Sequence, residues 1–319
     1  MTLNRKRAAW TGALVAAVVT AGAVGAPAQA AEGKTIKPVA DKIQPKKLPA
    51  TAKAKATTAA AATPKAKAEA RASSQAAGVA AAGTVSLKPG EVLKSDEYIA
   101  TANGVLYMQP DGNLVLDHKA GAELWASGTY GNPGAYAEFQ ADGNFVVYKK
   151  DVNGVKGAAV WSSATWGNAN ARIDFQDDAN LVVYRKDGSA AWSTRTWEVP
   201  DHTLTGGENL DRGTWMAATN TVLAMDNRGY FAVFERSTGN VRIAAGSYSP
   251  GAYARMQRDG NFVIYSKNGG EGKGGAIWNT ESWGNPGAYL TYGMDSTLVL
   301  HAADGSELGH FKSGDNEQG

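Results

Sequence analysis

The 319-residue chain contains no cysteine. That absence excludes disulfides, thiolate nucleophiles, zinc–thiolate centres and a lipid-bearing cysteine. The fold must instead be held by core burial, which domains of more than about a hundred residues can supply. Histidine is nearly as scarce, with only His118, His202, His301 and His310 present. None stands in H-E-x-x-H or another metal-ligand spacing, and none accompanies a G-x-S-x-G nucleophile motif. The acidic neighbours Asp177 and Asp178 would point to opposite faces of a strand, so they cannot flank one glycosidic bond. No catalytic residue, metal ion or cofactor is therefore expected. Beyond residue 83 no segment carries an apolar stripe of period 3.6, so helices are not expected either.

Net positive charge is also missing from the part of the chain that can fold. Residues 84–319 hold nineteen Lys/Arg against twenty-seven Asp/Glu, a balance of −8. The overall pI near 8.5 comes from the N-terminal end. Phosphate binding requires a basic face, so nucleic acid is excluded as a partner. Residues 1–30 read as a signal peptide: Arg5, Lys6 and Arg7, an apolar run from Ala8 to Val24, then Ala28-Gln29-Ala30. Export, with no membrane span left after cleavage, is the expected outcome. Residues 31–83 are rich in Ala, Lys and Pro, carry a balance of +7, and offer almost nothing to bury. A disordered tether is expected there, basic enough to associate with a cell wall.

What the chain does have is repetition. FQADGNFVVYKK (Phe139 to Lys150) recurs as FQDDANLVVYRK (Phe175 to Lys186) and MQRDGNFVIYSK (Met256 to Lys267). MQPDGNLVLDHK (Met108 to Lys119) is a near relative, and DNRGYFAVF (Asp226 to Phe234) and GMDSTLVLH (Gly293 to His301) are decayed copies. The six copies begin at 109, 140, 176, 226, 257 and 293. The last three follow the first three at a constant offset of 117. Trp161 maps onto Trp278, and Trp166-Gly167-Asn168 onto Trp283-Gly284-Asn285, at the same offset. This pattern predicts two tandem three-repeat domains, at 84–199 and 200–313, the second degenerate, with a short tail at 314–319.

Each repeat alternates with period 2 and is bounded by turn dipeptides, which places the chain in the all-β class. Alternation puts Gln140, Asp142, Asn144, Val146 and Tyr148 on one face, with Phe145 and Val147 opposite. Asp-Gly is a strong hairpin signal. Two features argue for an unbroken strand instead: the apolar phase continues through Phe145 and Val147, and Ala179 replaces the glycine in the third copy. The same polar types return at the same phase while their neighbours vary. A row of this kind suits a sugar diol, because Asp accepts while Asn and Gln both donate and accept.

The spacing Q-x-D-x-N-x-V-x-Y resembles the signature of the bulb-type, snowdrop-like mannose-binding lectins of monocots and their bacterial relatives. The resemblance covers residues 84 to about 313 twice over. It implies a β-prism II fold in each domain: three four-stranded antiparallel sheets around a pseudo-threefold axis, one candidate mannose site per sheet. It implies that Asp and Asn bond O2, Gln bonds O3 and Tyr bonds O4, while Val packs on ring carbons. Three sites are then complete: Gln140, Asp142, Asn144, Val146, Tyr148; Gln176, Asp178, Asn180, Val182, Tyr184; and Gln257, Asp259, Asn261, Val263, Tyr265. A fourth, at Gln109, Asp111, Asn113 and Val115, has Asp117 in place of Tyr and is expected to be weak or inactive. Copies four and six are expected not to bind. Trp125, Trp161 and Trp192 resemble the family's axial core residues. Only Trp278 remains in the second half, where Arg242 and Gly309 take the other places, so looser packing is expected there.

The function this implies is a secreted, non-catalytic, multivalent lectin for mannose-containing glycans or a bacterial or fungal surface polysaccharide. A lectin-like bacteriocin, which kills related bacteria after binding such a polysaccharide, is the alternative. Oligomeric state is not legible from repeats.

Overall fold

The computed structural model describes residues 34–36, 43–55 and 83–311. The expected signal peptide, most of the expected tether and the C-terminal tail lie outside the described residues. Among the described residues there is no helix. The strands form six sheets: four of four strands, and two in which a fifth strand joins the edge.

Each sheet is built around one motif copy. In copy two, Tyr136–Phe139 pairs antiparallel with Phe145–Tyr148, which pairs with Ala159–Ser162, while Val92–Leu93 closes the other edge. Copy three repeats this plan with Arg172–Phe175, Leu181–Tyr184 and Ala190–Ser193, closed by Val85–Leu87. Copy one uses Glu97–Ala100, Gly104–Met108, Leu114–His118 and Glu123–Ala126. The closing strands of copies two and three thus come from the very start of the half. Chain ends and middle are tied into one threefold arrangement, and the second half does the same with Asn209–Leu210 and Thr203–Leu204. The architecture is a β-prism II, built twice.

Inward-facing residues meet on each axis. Trp125, Trp161 and Trp192 contact one another edge-on, with ring centroids 5.2, 5.9 and 5.5 Å apart. Edge-to-face geometry aligns positive ring edges with negative faces, which adds to the burial itself. In the second half Trp278 stands alone among tryptophans, yet Phe311 reaches it at 5.9 Å and also contacts Phe231 at 6.1 Å. Arg242 turns outward and donates to Glu235 at 2.8 Å.

Two expectations need correction. The stretch expected to be a disordered tether is partly built into the fold. Lys34–Ile36 runs parallel to Glu307–Phe311, and Lys53–Ala54 runs parallel to Glu97–Ala100. Ile43 joins the hydrophobic core at 5 % exposure. Composition gave no sign of this, because an edge strand binds mainly through its backbone.

The second correction concerns the motif itself. Asp142-Gly143-Asn144 is a tight turn between two strands, not part of a continuous strand. Gly143 has φ +88° and Gly260 +94°, and Ala179 takes φ +62° despite its side chain. The turn closes with Gly143 N–H donating to Gln140 O at 3.0 Å. The apolar phase survives because the hairpin pairs Phe139 with Phe145 in register, so both rings face the core.

The two prisms also share apolar packing. Trp215, Val222, Ala224, Ala232, Phe234 and Ala244 line the outer face of the copy-four sheet and belong to the core cluster of the first prism. The opposite face of that sheet, with Leu223, Phe231 and Val233, packs into the second core.

Candidate functional site

The hairpin register, rather than a single alternating strand, gathers the motif side chains. Gln140 N–H donates to Asn144 O across the turn at 2.8 Å, so the two residues sit opposite each other. Val146 lies across from Glu138 and Tyr148 from Tyr136, all on the face that carries Gln140 and Asn144. The amide of Gln140 then donates to the Tyr148 hydroxyl at 2.9 Å. The same bond recurs between Gln176 and Tyr184 at 3.0 Å and between Gln257 and Tyr265 at 2.6 Å. Gln, Val and Tyr therefore converge on one face in all three complete copies.

The turn residues divide the work. Asp142 Oδ1 accepts the Asn144 N–H at 3.0 Å, the capping bond of an Asx turn, and Asp178 and Asp259 do the same. The second carboxylate oxygen is left for other partners. Asn144 is 8 % exposed, and its carbonyl oxygen accepts from Thr165 N–H at 3.1 Å and Ser163 Oγ at 3.3 Å. Asn180 and Asn261 hold the following segment in the same way. The Asn side-chain oxygen is thus committed to the fold, and in copy five the Asn261 NH₂ also donates to Asn279 Oδ1 at 3.5 Å. Val146, Val182 and Val263 are buried beneath the Gln–Tyr bridge rather than open to solvent.

Residues outside the nonapeptide complete each face. Tyr136 stacks on Tyr148 at 5.7 Å, and Tyr253 lies against Tyr265 at the same distance. Burial, joined by a hydrogen bond to Asp151, holds the Tyr136 phenol above its usual range. Lys156, from the loop after copy two, lies 4.1 Å over the Tyr148 ring and pairs with Glu138 at 2.6 Å. Arg172 occupies the corresponding place over Tyr184 at 4.8 Å, and it pairs with Asp174. Arg255 does not cover Tyr265. It reaches Gly207 O and Asn209 instead. The residue two before each Gln is the acid that holds this cation in copies two and three, Glu138 and Asp174, and is Arg255 itself in copy five.

The three complete copies differ in access. Asp142 and Asp259 are exposed, whereas Asp178 is half-buried. Trp215 donates its indole N–H to Asp178 O at 3.1 Å and to Thr196 O at 3.0 Å, which brings the start of the second prism against this turn. Burial, reinforced by Glu198 and Asp177, pushes the Asp178 carboxyl up to about 6. This explains how Ala179 is accommodated. In copies two and five the Asn168 and Asn285 N–H groups donate to the Asp carbonyl of the turn at 2.9 and 3.0 Å. A Cβ at Gly143 would meet the Asn168 carbonyl oxygen at 2.4 Å. In copy three the matching residue, Val199, donates to Trp215 O instead, so the clamp is absent.

Copies one and four face each other. At the Gln and Asp positions of copy four stand Asp226 and Arg228, joined by bonds of 2.8 and 2.7 Å. Asp226 is fully buried and accepts the Glu123 N–H at 2.9 Å, while Arg228 also donates to Gln44 O at 2.7 Å. Lys46 pairs with Glu123 at 3.2 Å. Asp117, the residue at the Tyr position of copy one, lies among these groups. Burial, with the nearby Glu123, keeps its carboxyl well above the ordinary range, and its Oδ1 has no hydrogen-bond partner among the described residues. Gln109, Asp111, Asn113 and Val115 keep the turn geometry, with Asn113 N–H donating to Asp111 at 2.9 Å, but no Tyr completes the face. Copy six keeps the Asx turn at Asp295, and His301 stacks on Tyr289 at 4.9 Å where Tyr would stand.

No protein-family model matches the chain, and no curated relative matches it. Solved structures do. A monomeric monocot mannose-binding lectin from Gastrodia elata is 32 % identical, with 35 % of this chain covering 97 % of that one at a TM-score of 0.31. The mannose-specific agglutinin of snowdrop (Galanthus nivalis) bulbs, complexed with methyl-α-D-mannoside, is 34 % identical, with 33 % of this chain covering 94 % of it at 0.29. The fetuin-binding, two-domain Scilla campanulata agglutinin is 19 % identical, with 67 % of this chain covering 93 % of it at 0.27. Identity above 30 % over nearly the whole of the Gastrodia and snowdrop lectins, together with the recurring nonapeptide, places the chain: it belongs to the bulb-type mannose-binding lectin family.

Proposed function

We propose that the protein is a secreted, multivalent, non-catalytic lectin whose copies two, three and five each bind a mannose-type sugar. The observation that carries this reading is the Gln–Tyr pair, formed in the same way on three separate sheets with an Asp at the lip of each. The Gln amide spends one donor on Tyr and keeps one donor and its oxygen for a ligand. Vicinal hydroxyls both donate and accept, so they suit a carboxylate, an amide and a phenol placed side by side. Membership of a family with mannose-binding members supports mannose as the sugar.

Four or five hydrogen bonds of roughly 0.5–1.5 kcal/mol, less the cost of immobilisation, give about −4 to −5 kcal/mol per site. That is millimolar affinity, which several sites on one chain raise against a multivalent glycan. Calorimetric titration with methyl mannoside tests the reading, on the intact chain and on Gln140→Ala, Gln176→Ala and Gln257→Ala. Each variant should lose one equivalent of binding. Heat identical to buffer dilution, or stoichiometry unchanged in all three variants, would remove the proposal. Growth inhibition of neighbouring bacteria by the purified protein would shift the outcome of binding from adhesion to a lectin-like bacteriocin.

A further inference from the structure

Large aromatic residues usually bury their rings, but Trp166 is 61 % and Trp283 is 60 % exposed. They are related by the repeat offset of 117 and stand at the same place beside sites two and five. That place is set by bonds to the motif on either side. Before Trp166, the Thr165 N–H donates to Asn144 Oδ1 at 3.1 Å; after it, the Asn168 N–H donates to Asp142 O at 2.9 Å. Around Trp283, Ser282 donates to Asn261 Oδ1 at 3.3 Å and Asn285 to Asp259 O at 3.0 Å. Each short turn is locked by its Asn side chain, Asn168 Nδ2 to Thr165 O at 2.8 Å and Asn285 Nδ2 to Ser282 O at 2.9 Å. The glycine that follows each Trp has positive φ, +84° and +88°. The indoles therefore ride on rigid turns fastened to the Asp and Asn of the adjacent site, with no core role to account for them.

We infer that Trp166 and Trp283 are stacking platforms for a second sugar ring, which makes sites two and five receptors for oligosaccharides rather than single sugars. This rests on the reading of those copies as mannoside sites. A sugar presents an apolar C–H face, which suits a fixed indole, and the chain would leave the primary site over Asp142 or Asp259. Copy three lacks this arrangement. Its corresponding Trp197 is half-buried and sits in the segment that turns toward Trp215.

The test compares methyl mannoside with a linear α-linked mannotriose on the full chain, by calorimetry and by tryptophan fluorescence. Intact protein should bind mannotriose about tenfold tighter than the monosaccharide at two of its sites. The double variant Trp166→Ala/Trp283→Ala should lose that gain and keep the monosaccharide affinity, and the Phe pair should restore most of it. If the monosaccharide binds but mannotriose binds no tighter, or the Ala pair keeps the gain, the platform is wrong and the primary sites stand. A parallel loss of both affinities would make the turns mere scaffolding and would also overturn it. If methyl mannoside does not bind at all, the underlying function falls, and the platform falls with it.

Discussion

The backbone N–H of Glu123 donates to the carboxylate of Asp226, 2.9 Å away and 103 residues later. This bond shows what became of copy four. Its motif positions did not simply drift: Asp226 and Arg228 form a buried ion pair that fastens the second prism to the last strand of copy one and to the segment at Gln44. A face that resembles a sugar site in sequence has become the joint between two halves of the molecule.

Removal of one partner from that joint should be costly, because the other is left buried and uncompensated. Arg228→Ala is expected to lower stability by about 3–5 kcal/mol in urea unfolding. An exposed pair such as Arg242–Glu235 should contribute less than about 1 kcal/mol by the same measurement.

The shared core also bears on cooperativity. A single axial Trp in the second half suggests from sequence that this half unfolds first. The structure argues for joint unfolding instead, since the outer face of the copy-four sheet belongs to the first core cluster and Phe311 fills space beside Trp278. One calorimetric transition is expected, coincident by tryptophan fluorescence and circular dichroism. Two resolved transitions would show that the joint is weaker than its apolar area suggests.

Turn chemistry makes a sharp comparison between copies. Gly143→Ala places a Cβ 2.4 Å from the Asn168 carbonyl oxygen at a φ of +88°. It should destabilise by about 2 kcal/mol or more and abolish binding at site two. Ala179→Gly removes the strain of a φ of +62° but also a buried methyl, two effects of about 1 kcal/mol that oppose each other. Near-neutral stability is expected from thermal melts of that variant.

Asp178 supplies a pH dependence. Its folded-state pKa of about 6 lies above that of the unfolded chain, through burial first and then Glu198 and Asp177. The native state therefore holds this proton more tightly. Its contribution is full below about pH 4, the ordinary Asp value, and is lost as pH rises through 6. Asp178→Asn keeps an acceptor for the Asn180 N–H and cannot ionise. The variant should be the more stable protein above pH 6, and its advantage should vanish below pH 4 in urea midpoints measured across that range.

Much of the fold is legible in one dimension. The constant offset of 117 requires two equivalent halves, and alternation with turn dipeptides requires antiparallel sheets, because those patterns depend only on neighbours along the chain. The repeats also show one equivalent tryptophan per copy in the first half, while its place on the axis is what the family resemblance implies. The turn at Asp142-Gly143-Asn144 is not legible in one dimension, because hairpin register preserves the apolar phase across a reversal. Phe139 and Phe145 face the core whether the chain continues or folds back. Ala179 hides the turn further, since nothing local reveals that Val199 has left it to bond Trp215.

The nonapeptides by their own residue types decide which groups the proposed sugar would meet: a carboxylate, two amides and a phenol, three times over. Which copies present them to solvent is settled by distant contacts. Asp142 and Asp259 lie open, Asp178 is pressed by Trp215, and the copy-four face is closed over Glu123. Local sequence encodes side-chain chemistry and strand phase, but burial is a property of whatever packs opposite, and those residues lie dozens to a hundred positions away.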